Sequence, residues 1–133
     1  MATSLSFEKD NEVKYKELGS SKRNKVFLTY KSIYITAALI AIKLELEPRP
    51  IQNKHDFIKD ANLNEDEKII LKYIALNQTQ NPMILNNQTE IINVTNELAN
   101  AGIGELYDVL NRGGDRVYAI LDYCQQHFWK PDK

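Results

Sequence analysis

The stretch from Tyr30 to Leu46 limits the possible folds more than any other part of the chain. Apolar residues including Tyr30, Ile33, Tyr34, Ala37, Ala38, Ile40, Ala41, Ile42 and Leu44 cover most of a helix circumference instead of a single stripe. A helix of that kind has to be surrounded by other elements, so 30–46 is expected to be the central, most buried helix. A bilayer crossing needs roughly 20 apolar residues. The uncharged run from Ser32 to Ile42 is too short for that, and Lys31, Lys43 and Glu45 bracket it closely. Pro48 and Pro50 follow and are expected to end the helix, because proline cannot continue a helix interior and restricts the residue before it.

The segments around this helix read as further helices. Lys9 to Leu18 is a weak, charged helical candidate stopped at Gly19-Ser20-Ser21. Arg49 to Leu63 reads as an irregular connection pinned by Phe57 and Ile58. Asn64 with Glu67, and Asn87 with Glu90, both have the spacing of a capping box. Behind the first box, Ile69, Ile70, Tyr73, Ile74 and Leu76 form an apolar face. Behind the second, Ile91, Val94, Leu98 and Ala101 continue at helical period to Gly102 and Gly104, which are expected to bend or break the helix. Met83-Ile84-Leu85 anchors the amide-rich loop between these helices. Ile103 to Leu110 would carry another segment up to Gly113-Gly114, and Asp115 would cap a last helix lined by Tyr118, Leu121 and Cys124. No alternating run between turn signals points to a sheet.

The expected fold is therefore all-α: a compact single-domain bundle of about five helices around the central helix 30–46. Its 133 residues suit one core. The expected boundaries are a flexible lead over 1–10, the helical domain over 11–128 and a tail over 129–133.

Composition excludes some functions. Lysine and arginine number 17 against 18 acids, so no global field draws the molecule to phosphate or to an anionic membrane. Cys124 is the only cysteine, which leaves no internal disulfide and no thiolate cluster for zinc or iron and sulfur. Residues 1–10 lack the basic start and apolar run of a signal peptide, and a reducing cytoplasm is the expected location. Of the two histidines, His55 beside Asp56 reads as solvated and His127 as a surface residue. Gly102-Ile103-Gly104 has no preceding strand and no Gly-Lys-Ser/Thr ending, so close helix packing or a kink explains it better than a phosphate loop. No enzyme activity, metal or cofactor is expected.

Charge is unevenly distributed. Lys14, Lys16, Lys22, Arg23, Lys25 and Lys31 face only Glu17 between positions 14 and 31, whereas Glu45 to Glu67 is acidic. The basic stretch, interleaved with Tyr15, Phe27 and Tyr30, fits an ordinary solvated surface, a protein contact (with another copy of the chain among the options) or nucleic-acid backbone. DNA is the less favoured partner. A helix-turn-helix around the glycines would place mainly apolar residues in the groove, which reads as core.

Three strings occur in order: Val26-Phe27-Leu28-Thr29-Tyr30-Lys31-Ser32-Ile33 before an Ala-rich helix, then Ile74-Ala75-Leu76, then Glu97-Leu98-Ala99-Asn100-Ala101-Gly102-Ile103. From Lys14 to Leu110 this resembles the small Dnd system-associated proteins, encoded beside bacterial DNA-phosphorothioation and restriction genes that act against phage. The resemblance implies a non-catalytic accessory subunit of a multi-gene defence system. Such a subunit would act through contacts with ATPase, helicase or nuclease partners, and the family offers no catalytic residues to transfer. The alternative is a nucleic-acid-binding accessory factor using the basic segment 14–31. Candidate contact residues are Lys14, Lys16, Lys22, Arg23, Lys25 and Lys31, together with Ala99, Asn100, Gly102 and Gly104 as a small-residue notch suited to close helix approach or docking.

Overall fold

The structure, a computed structural model, describes residues 4–20, 29–110 and 125. In chain order these form strand β1 (Ser4–Glu8), helix α1 (Glu12–Ser20), α2 (Tyr30–Lys43), β2 (Lys54–Lys59), α3 (Glu65–Thr79) and α4 (Gln88–Leu110). Short 3-10 turns precede α1, α3 and α4. The expected helix from Asp115 and the 129–133 tail lie outside the described residues.

Local signals account for the helix ends. Thr29 caps α2 by accepting from the Ser32 N–H at 3.1 Å. The box at α3 is complete: Asn64 Oδ1 accepts from Glu67 N–H, and Glu67 Oε1 accepts from Asn64 N–H, each at 2.8 Å. At α4 only half a box forms. Asn87 Oδ1 accepts from Glu90 N–H at 3.1 Å, while the Asn87 N–H donates to the Ile84 carbonyl. Helix α2 stops before its prolines, in a Schellman turn: Glu45 N–H donates to Ile42 O, Leu46 N–H donates to Ala41 O, and Glu45 adopts a left-handed φ of 56°.

The all-α expectation needs correction, because β1 and β2 form a two-stranded antiparallel sheet. Ser6 pairs with Asp56 and Phe7 with His55, and a bulge after Leu5 leaves Phe57 unpaired. The expected flexible lead is thus, over Ser4–Glu8, a strand whose Leu5 and Phe7 are fully buried. Burial of these two side chains stabilises the strand, since each full burial contributes about 1.5–3 kcal/mol. Phe7 stacks on Tyr15 with centroids 4.3 Å apart and on His55 and Phe57 at 5.1 Å each. Tyr34 meets Phe57 edge-on at 5.5 Å. This aromatic cluster joins the sheet to α1 and α2, and it places His55 on a ring face in a strand rather than in a solvated loop.

Helix α2 is the core element as expected, burying Ile33, Tyr34, Ala37, Ala38, Ile40 and Ala41. Its most extensive contact is with α4. Gly102 and Gly104, expected to bend or break the helix, do not break it, and α4 runs for 23 residues as one helix. Gly102 lies directly on the α2 backbone, where a Cβ would fall 1.9 Å from the Ala37 carbonyl oxygen. The packing gained there offsets a helical glycine's cost of about 1 kcal/mol. On α3 the buried residues are Leu71, Ile74 and Ala75, and the expected face is corrected accordingly: Ile69 and Tyr73 are 61% and 55% exposed.

Candidate functional site

The long helix α4 carries a polar pair one turn apart, Asn96 and Asn100, which holds β1 and the loops beside it. Asn96 Oδ1 accepts from the Ser6 N–H at 3.0 Å and from the Tyr34 hydroxyl at 2.5 Å, inside the core. Asn96 Nδ2 and the Tyr15 hydroxyl are buried without a partner among the described residues. Burial raises the Tyr15 and Tyr34 hydroxyls well above the usual tyrosine value, and in Tyr34 the neighbouring Tyr15 adds to the effect. Both tyrosines therefore stay neutral.

Asn100 lies nearer the surface. Its Oδ1 accepts from Asn11 Nδ2 at 2.9 Å, and its Nδ2 donates to the Arg49 carbonyl at 3.0 Å. It satisfies loop carbonyls, not those of a helix end, because the helix does not end there. The Glu8 carboxylate performs the matching task from β1: Oε1 accepts from Gln52 N–H at 3.0 Å and Oε2 from Asn53 N–H at 2.9 Å. These bonds wall a cleft of about 490 Å³ between the β1–α1 junction, the 49–53 loop and α4. Glu8, Asp10, Asn11, Lys14, Arg49 and Asn100 line it, with Pro50, Gln52 and Asn53 at the 49–53 side.

The cleft brings together two of the residues singled out from sequence, Lys14 and Asn100. The others lie elsewhere. Ala99 is buried in the core, Gly102 makes the close helix approach expected of a small residue by packing on Ala37, and a side chain at Gly104 would meet nothing within 4 Å. Lys16 pairs with Glu12 at 3.8 Å along α1. Lys31 reaches across to Glu67 at 2.9 Å, joining the basic segment to the acidic one within the molecule. Partial burial acts to raise the Glu67 carboxyl, but the Lys31 hydrogen bond, the Asn64 N–H and the Lys31 charge outweigh it and hold the group below its ordinary value. Lys14 donates to Asn11 Oδ1 at 3.2 Å and lies 5.8 Å from the Tyr107 ring centre. Lys22, Arg23 and Lys25 lie outside the described residues.

Sequence reasoning missed Glu8, Asp10, Asn11, Arg49, Gln52 and Asn53. No local pattern marks them, because β1–β2 pairing and Asn100 bring together residues about fifty or ninety positions apart. Among the described residues no group of histidine, cysteine or acidic side chains could hold a metal ion, and no helix is long and apolar enough to cross a membrane.

No curated protein and no solved structure gives a match to this chain. A family match spans residues 6–130, from β1 through both walls of the cleft and beyond α4. The chain therefore belongs to the family described as DNA sulphur modification system-associated protein 4.

Proposed function

We propose that the protein is a non-catalytic accessory subunit of a bacterial anti-phage system of the DNA modification and restriction type, acting through contacts with its protein partners. The observation that carries this reading is the family match over 6–130, which ties the whole folded unit to DNA sulphur modification systems. The cleft supports it chemically. Glu8 and Asn100 are engaged in bracing loops, so the cleft's architecture serves the shape of a surface. The described cations of the 14–31 segment, Lys14, Lys16 and Lys31, all have partners within the molecule, which weighs against a dedicated phosphate-binding face.

The test is co-expression of the tagged chain with the other proteins of its system, followed by size-exclusion chromatography. Stable co-elution with at least one of them is expected. A mobility shift of duplex DNA by the isolated chain, falling steeply with salt and without any protein co-elution, would replace this reading with the nucleic-acid-binding one.

A further inference from the structure

The cleft between Glu8, Lys14, Arg49 and Asn100 has both committed and free groups, and the difference between them indicates what it would hold. Both Glu8 oxygens are occupied by backbone N–H groups, and the Asn100 amide is occupied on both sides. The Arg49 guanidinium, the Asp10 carboxylate and the side-chain amides of Gln52 and Asn53 make no hydrogen bond or ion pair with any described residue, and all four residues are exposed. The backbone beneath them is nonetheless fixed: Arg49 N–H donates to Glu97 O at 3.1 Å and Lys9 N–H to Asn53 O at 2.8 Å. Free polar side chains thus sit on a hydrogen-bonded backbone that need not itself be ordered on binding.

We infer that this cleft is a docking site for an extended polar peptide segment of a protein partner, which presents an acidic side chain to Arg49 and a basic one to Asp10. Lys14 and Arg49 are balanced by Glu8 and Asp10, so the cleft is formally neutral. A polyanionic backbone entering it would place phosphates against two carboxylates, and a lone cation would meet two positive groups. A peptide suits both constraints, because each residue offers one N–H and one C=O to the carboxamides and its side chains can carry either sign. A volume of about 490 Å³ falls within the range of ligand-sized clefts. Its exposed side along Arg49, Pro50, Gln52 and Asn53 leaves room for a chain to enter and leave.

This inference rests on the accessory-subunit reading, and the test separates the two. Each purified protein of the system is titrated against the immobilised full chain by biolayer interferometry, using wild type, Arg49→Glu, Asp10→Lys and, as a distant control, Lys72→Glu on exposed α3. Thermal melts of all four should agree closely, since none of the replaced side chains makes a bond with a described residue. The expected result is one partner whose Kd rises about tenfold or more in each cleft variant and stays unchanged in the control. Binding that is indifferent to both cleft variants, or equally weakened by the control, overturns the cleft and leaves the accessory subunit standing. If no system protein binds wild type, both ideas fall. Duplex DNA binding that is lost in Arg49→Glu and strengthened in Asp10→Lys, with protein affinity intact, overturns the peptide in favour of nucleic acid.

Discussion

Gly102 and Ala37 meet backbone to backbone across the α2–α4 seam, with no space between them for one methyl group. Gly102→Ala has to push the two core helices apart, and overpacking of this kind costs about 1–3 kcal/mol or more. Gly104, two residues along the same helix, has open space where its Cβ would stand. Gly104→Ala should therefore be neutral or stabilise by up to about 1 kcal/mol through helix propensity. Urea unfolding of the two variants side by side checks this, and equal effects would contradict the packing described.

Asn96 is the acceptor for two buried donors, Ser6 N–H and the Tyr34 hydroxyl. Asn96→Ala leaves both unsatisfied, at about 1–3 kcal/mol for each group stranded in the core. The loss should appear first at the sheet. Amide exchange at Ser6 and its strand neighbours is expected to quicken more than exchange in α3, as measured by hydrogen–deuterium exchange.

The turn after α2 forces Glu45 into a left-handed conformation, as the turn after α3 forces Gln80, both with φ of 56°. Glycine holds that conformation without steric cost. Glu45→Gly should raise stability by about 0.5–1 kcal/mol, visible as a higher Tm with unchanged circular dichroism.

The Lys31–Glu67 pair predicts a specific acid response. The Glu67 carboxyl is held below its ordinary value of about 4.5, so its contribution is fully present above that pH and is lost as pH falls through the lower folded value. Glu67→Gln should cost about 1 kcal/mol at pH 7, since the pair is partly exposed and shares its carboxylate with the cap. The gap between variant and wild type should close progressively as pH falls below about 4.5. Denaturant melts at pH 7, 5, 4 and 3 measure it.

Features set by neighbours along the chain were legible in the sequence. The Asn64–Glu67 box is a three-residue interaction, and the all-round apolar pattern of 30–46 requires burial whatever surrounds it. The sheet was not legible, because its strands are five and six residues long and β2 carries Lys54, Asp56 and Lys59 among its apolar residues. The continuity of α4 was hidden for the opposite reason. Gly102 reads locally as either a breaker or a close-packing position, and only the α2 backbone, more than sixty positions away, decides between the two. Of the cleft, Lys14 and Asn100 stood out, while Arg49 and Asp10 gain meaning only once β1 and the 49–53 loop lie side by side.

The separation between β1 and its partners also sets an order of assembly. Ser6 waits for Asp56, fifty positions later, and for Asn96, ninety positions later. At ribosomal rates of about 5–20 residues per second, the strand has no complete set of partners for on the order of 5–20 s. A polypeptide released before α4 would hold every lining residue except Asn100 and still lack the α4 wall of the cleft, so only copies synthesised through α4 could compete for a partner.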